Sequence, residues 1–250
     1  MVTATAGNLL GAAPAQAQHQ HPAAHSQAAE GGEGGEGGEA SHGSQAASSM
    51  EEQLSVLAQM QGHLLVAADL LQRGDARGAE PHTGHPVDEL YGALEPAIAS
   101  GKLPPFRDSL ETLRQQVRLA PSAPATSRQL IEARKAIQSA ISRLSPTFTR
   151  QPSLVLAVVR QLALSASSEY QGALDGNQIR ETIEYQDARG YLLQADQLLR
   201  QARTDNPSAN GSLQPAQERI TAMLKALPSS QPPQQALLNA ASLDSLARGI

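Results

Sequence analysis

The sequence predicts an all-α fold, an up-and-down bundle of about six to seven helices behind a disordered N-terminal leader. Three observations point that way. Hydrophobic residues make up 40% of the 250-residue chain, yet only 2% of it is aromatic and there is no Trp. A chain whose apolar residues are mostly Leu and Ala suits close-packed helices better than strands, which favour aromatic and β-branched residues. From Ser49 onward the apolar residues recur with helical period and short Pro/Gly/Ser segments separate the runs, with no convincing period-2 alternation.

Residues 1–17 include the small-residue triplet Ala15-Gln16-Ala17 after a weakly apolar run. This resembles the end of a secretory signal peptide, although a basic start is missing. We therefore expect the remnant of a signal peptide here and an exported, periplasmic protein. Residues 18–48 are low complexity, with EGGEGGEGGE at 30–39 and His19, His21, His25 and His42 around it. Such a segment has too little apolar surface to fold and reads as a leader.

The folded domain is expected over 49–228. Ser48 or Ser49 can cap the first helix, with Glu51 and Glu52 in its first turn, and the helix should stop near Gly74. A short helical turn leads to PHTGHPVDELYGAL at 81–94. Pro86 there fits the first position of a new helix, which runs to about Gly101. Further helices are expected at about 106–119, 126–144, 152–174, 182–203 and 213–227, the fifth and sixth of the series folding back as a hairpin. Residues 229–250 read as a loose tail carrying at most one short amphipathic helix.

Several function classes fall away. The net charge of -5 and pI near 5.8 leave no footprint for nucleic acid or an anionic membrane. There is no cysteine, hence no thiolate metal site or cysteine nucleophile. A transmembrane span is not expected. Gly-x-Ser-x-Gly, a phosphate-binding glycine loop and His-Glu-x-x-His are absent, and Glu-x-x-His occurs in none of the expected helices, so catalysis is not indicated.

What remains is a set of polar residues on apolar helical stripes. In the 182–203 helix Glu184 lies four residues before Ala188, on the apolar stripe, with Asp187 at its edge. In the 152–174 helix Glu169 lies four residues before Ala173. His63 falls among Val56, Met60, Ala67 and Leu70 on a helix that is apolar nearly all round. His82 and His85 sit in or beside a loop, with Glu89 one turn on but on the side away from the core stripe. An ionised carboxylate on an apolar face has to be paired, protonated or metal-bound. Ion pairing with Arg180 or Arg189 is one outcome. The other is a metal site of His63, His82, His85, Glu169 and Glu184, with Glu89 and Asp187 peripheral, since imidazole and carboxylate suit iron, copper or zinc. Haem fits less well, for want of a recognisable slot.

The segments GHLL, H-x-x-H-P-x-x-E-x-Y and EYQDARG resemble stretches of exported bacterial helical proteins over roughly residues 60 to 200, and that resemblance implies no function. Imelysin-type iron-uptake proteins are exported helical bundles as well, but their His-x-x-Glu pattern is not met by His85-x-x-x-Glu89. Two readings stay open: an exported metal carrier or sensor, or a structural, partner-binding helical module without a metal.

Overall fold

In the computed structural model of the chain, residues 46–250 are described. The signal-peptide expectation for 1–17, and all but the last residues of the 18–48 leader, lie outside them. The described residues form an all-α bundle of helices α1 (Met50–Gln72), α2 (Ala76–His85), α3 (Tyr91–Ala99), α4 (Arg107–Leu119), α5 (Pro124–Leu144), α6 (Pro152–Gly172), α7 (Thr182–Asp205), α8 (Asn210–Ala226) and α9 (Ala240–Arg248).

α1 is the central helix. Its start is set by a capping box: the Glu52 amide donates to Ser49 Oγ at 3.1 Å, and Glu52 Oε2 accepts from the Ser49 amide at 2.9 Å. From there it is sheathed by α2, α5, α6 and α7. By length and apolarity α1 could cross a membrane, but 78% of its most apolar window is buried inside the bundle, as in the core helix of a helical protein.

α6 and α7 fold back on each other through a small antiparallel hairpin of β1 (Leu174–Asp175) and β2 (Gln178–Ile179). Gly176 takes the tight turn with φ +61. The close of the chain is packed rather than loose. Tyr170 Oη donates to the Leu238 carbonyl at 2.6 Å, the Ala236 amide donates to the Asn177 carbonyl, and Leu243 of α9 is fully buried against α6. The apolar spacing of 229–250 is too sparse to announce this, because the segment is held largely by backbone hydrogen bonds.

The larger departure concerns 81–91. Instead of a loop followed by a new helix, the chain stays helical from Ala76 to Ala99 and widens into a π turn at Pro86–Leu90. Pro86 has no N–H to give to the His82 carbonyl, so an ordinary α turn would be broken there. A π turn accommodates the missing bond and keeps the helix running. His82 and His85 are thus fixed in the last turn of α2, not free to swing on a loop.

Candidate metal centre

The site forms where α1 crosses α7, and two glycines set how closely they cross. A Cβ on Gly190 would stand 2.6 Å from the Gly62 carbonyl oxygen, and one on Gly62 would stand 2.9 Å from the Gly190 backbone. Real Cβ atoms do not approach so closely, so the backbones touch only because both residues are glycine. The neighbours of these glycines make the site: His63 follows Gly62, and Asp187 and Tyr191 flank Gly190. The end of α2 then places His82 and His85 against the same spot.

Four side chains converge. His63, His82, His85 and Asp187 each offer one ligand atom, and these atoms all lie within 4.8 Å of one another. Asp187 is the hub. Its Oδ1 lies 2.7 Å from His63 Nδ1 and 2.8 Å from His82 Nδ1, and its Oδ2 lies 3.3 Å from His85 Nδ1. The rings are packed together, His63 standing 5.0 Å from His85 and 6.1 Å from His82 between centroids. His63, His82 and Asp187 are buried, whereas the His85 side chain keeps 15% of its surface exposed. Glu89 Oε1 is 3.5 Å from His85 Nε2, at the rim. The cluster thus meets solvent mainly on the His85 side.

The outer nitrogens are held in turn. Tyr191 Oη is 3.0 Å from His63 Nε2, and Gln186 Oε1 is 2.8 Å from His82 Nε2. Gln186 cannot be turned round, because its Nε2 donates to the Ser230 carbonyl at 2.8 Å. His82 Nε2 therefore carries a proton and donates to Gln186. In the neutral ring that leaves a bare Nδ1 lone pair facing the Asp187 carboxylate at 2.8 Å. Two acceptors so close call for a cation between them, a proton or a metal ion. His63 gives a second sign: although Asp187 Oδ1 is 2.7 Å from its Nδ1, that nitrogen makes no hydrogen bond of acceptable geometry. The oxygen is near but off the direction in which the ring nitrogen points.

Electrostatics agree. Burial alone would raise the pKa of Asp187, yet the adjoining His63 and His82 rings outweigh it and hold the carboxyl well below its ordinary range. Burial pushes the His63 imidazole down, against the pull of Asp187. The core of the site thus favours an ionised carboxylate beside a neutral imidazole, which is the protonation state that metal ligands need.

Of the residues picked from the sequence, the fold brings His63, His82 and His85 together and moves Asp187 from the periphery to the centre. It does not bring Glu169 or Glu184 into the cluster. Both are only half-buried, at the hairpin end of α6 and α7, where Glu184 Cγ packs near Gly172. At that end the covered face runs through Tyr170 and Ala173 on α6 and through Tyr185 and Ala188 on α7, all fully buried, and the two glutamates lie beside it. Glu89 stays peripheral. Gln186, Tyr191 and Ser230 were not anticipated; the small residues Gly62 and Gly190, each next to a polar aromatic or imidazole ring, were the available signal.

Residues 145–250, which contain α6 to α9 and therefore Asp187, match the family described as an iron permease-associated 4-helix bundle domain. The three histidines precede the matched stretch. No curated protein and no solved structure matches the chain. The C-terminal part of this bundle is thus similar to a helical module related to iron transport, and a buried His/Asp group stands at its junction with α1 and α2.

Proposed function

We propose that the protein is an exported metal carrier or sensor that takes iron at His63, His82, His85 and Asp187 and serves an iron-permease type of transport. The observation that carries this reading is three imidazole nitrogens gathered around one buried carboxylate. The similarity of residues 145–250 to a domain associated with iron permeases supports iron among the metals this donor set suits.

Spacing lends further support. Around an ion with ligands at about 2.1 Å, neighbouring ligand atoms stand about 3.0 Å apart at right angles and about 3.4 Å apart in a tetrahedron. The 2.7 and 2.8 Å contacts of Asp187 Oδ1 lie closer to the right-angle value and the 3.3 Å contact of Oδ2 closer to the tetrahedral one, so the spacing suits a metal ion without choosing its coordination number. Each residue then has a role. Asp187 supplies the charge that offsets the ion's desolvation, and the histidines supply neutral donors. Gln186 and Tyr191 fix ring orientation, as outer partners of metal ligands do. His85 and Glu89 line the side from which an ion can arrive.

The test is an anaerobic titration of metal-free protein with iron(II), read by calorimetry and by metal analysis after desalting. One equivalent bound by the wild type and none by Asp187→Asn or His63→Ala is the expected result. No retained iron, with zinc and copper equally unbound, would return the chain to the structural-module reading. Fractionation of native cells with mass spectrometry of the mature N-terminus tests export.

A further inference from the structure

Beyond the His/Asp cluster, a further cavity among the described residues joins polar chemistry to enclosure. It has a volume of about 330 Å³ and lies between α1, α5 and α7, with Gln61, Arg134, Gln138 and Gln194 among its lining residues. That is the lower end of the size range of small-molecule sites. Gln194 comes seven residues after Asp187, so it lies about 10 Å further along α7 on nearly the same face.

Arg134 is the unusual member. Among the described residues no carboxylate pairs with it, and burial alone lowers its pKa. It is braced instead: its Nε donates to Gln61 Oε1 at 3.0 Å, while Gln61 Nε2 donates to the Arg134 carbonyl at 2.8 Å. That pairing fixes the guanidinium plane and leaves its two terminal amino groups for a ligand. A planar guanidinium matches a carboxylate through two parallel hydrogen bonds. The glutamine amides beside it can serve further oxygens. Ile141, Phe148 and Leu198 form an apolar part of the wall, which would meet a carbon skeleton and has nothing to offer a bare inorganic anion. Asp205 also lines the cavity, but it stands eleven residues beyond Gln194, about 16 Å along α7, and is engaged by Thr149 and Gln201.

We infer that this cavity is a binding site for a small organic di- or tricarboxylate, held by the Arg134 guanidinium and oriented by Gln61, Gln138 and Gln194. The inference stands apart from the metal reading, since no residue of the cavity belongs to the His/Asp cluster.

Calorimetric titration of metal-free protein with citrate, succinate and acetate, and separately with inorganic phosphate, tests it. Saturable binding of citrate or succinate is expected, with acetate and phosphate weaker. Arg134→Gln should weaken that binding at least tenfold while leaving iron binding unchanged. If Arg134→Gln fails to fold by circular dichroism, Gln197→Glu decides: it sets a negative charge at an exposed position on the cavity wall and should weaken carboxylate binding severalfold. Absence of binding by all the carboxylates at millimolar concentration, a preference for phosphate, or binding indifferent to these substitutions would overturn the inference. Iron binding would remain to be judged on its own result.

Discussion

Replacing Gly190 with Ala tests the link between helix packing and the site. The added Cβ would meet the Gly62 oxygen at 2.6 Å and Val66 Cγ2 at 2.9 Å. Ordinary carbon contacts lie at about 3.5 Å or more, so α1 and α7 must separate by something like 0.5–1 Å where they cross. Overpacking of this kind costs about 1–3 kcal/mol, and the better helix propensity of Ala returns about 0.5–1 kcal/mol. The net loss is about 1–2 kcal/mol, or roughly 2–8 °C in Tm for a domain of this size. The effect on the metal should be larger in proportion. His63 sits on α1 beside the contact and Asp187 on α7, so the separation pulls apart atoms that must both reach one ion at about 2 Å. Differential scanning calorimetry of the metal-free protein and iron(II) titration of the same sample give both numbers. A Tm drop in the stated range with at least a tenfold weaker affinity is expected. An unchanged affinity alongside a lowered Tm would refute the claim that the glycine crossing sets the site's geometry, and an unchanged Tm would refute the packing argument itself.

Other outcomes follow from the same geometry. The metal-free protein should lose stability on acidification. His63 has its pKa lowered below the ordinary 6.5, so the unfolded chain binds more protons and stability falls as pH drops through that value; Asp187 adds a second loss below its ordinary 3.8. Urea melts at a series of pH values should therefore be level above about pH 7 and decline in two stages, and Asp187→Asn should reduce the lower one, to which Glu52, Asp69 and Asp205 also contribute. Gln186→Leu frees the His82 ring from its outer partner and should weaken iron binding about 10–100-fold without emptying the site, as read by competition with a chromogenic chelator. Ser49→Ala removes one half of the capping box of α1 and should cost about 1 kcal/mol in chemical denaturation while leaving metal affinity intact.

Helical period placed His63 correctly on a buried face, because α1 is covered on every side from residue 53 to 64 and any polar residue in that stretch is buried. It failed for Glu169 and Glu184, because the face that is fully covered at the hairpin end runs through their neighbours Tyr170 and Tyr185, and a four-residue step back from an apolar residue does not fix which side of the stripe is covered. Asp187 shows the converse. It lies at the edge of the α7 stripe, yet the glycine contact draws α1 close enough to bury that edge. The π turn was hidden for a different reason: Pro86 is equally at home as a helix start, and the packing of α2 and the π turn against α4 and α1 favours a helix that continues.

The ligands also have a bearing on how the chain holds together. Asp187 is 105 residues from His82 in sequence, and it lies in the stretch that resembles the iron permease-associated domain while the histidines do not. A bound ion would act as a cross-link closing a loop of that length, and such a link removes more entropy from the unfolded chain than a local one does. The ion would then report on assembly as well as cargo. Apart from each other, the segment with the histidines would lack Asp187 and the four-helix segment would offer only Asp187 of the four donors, so an ion would be held most firmly when the two are docked.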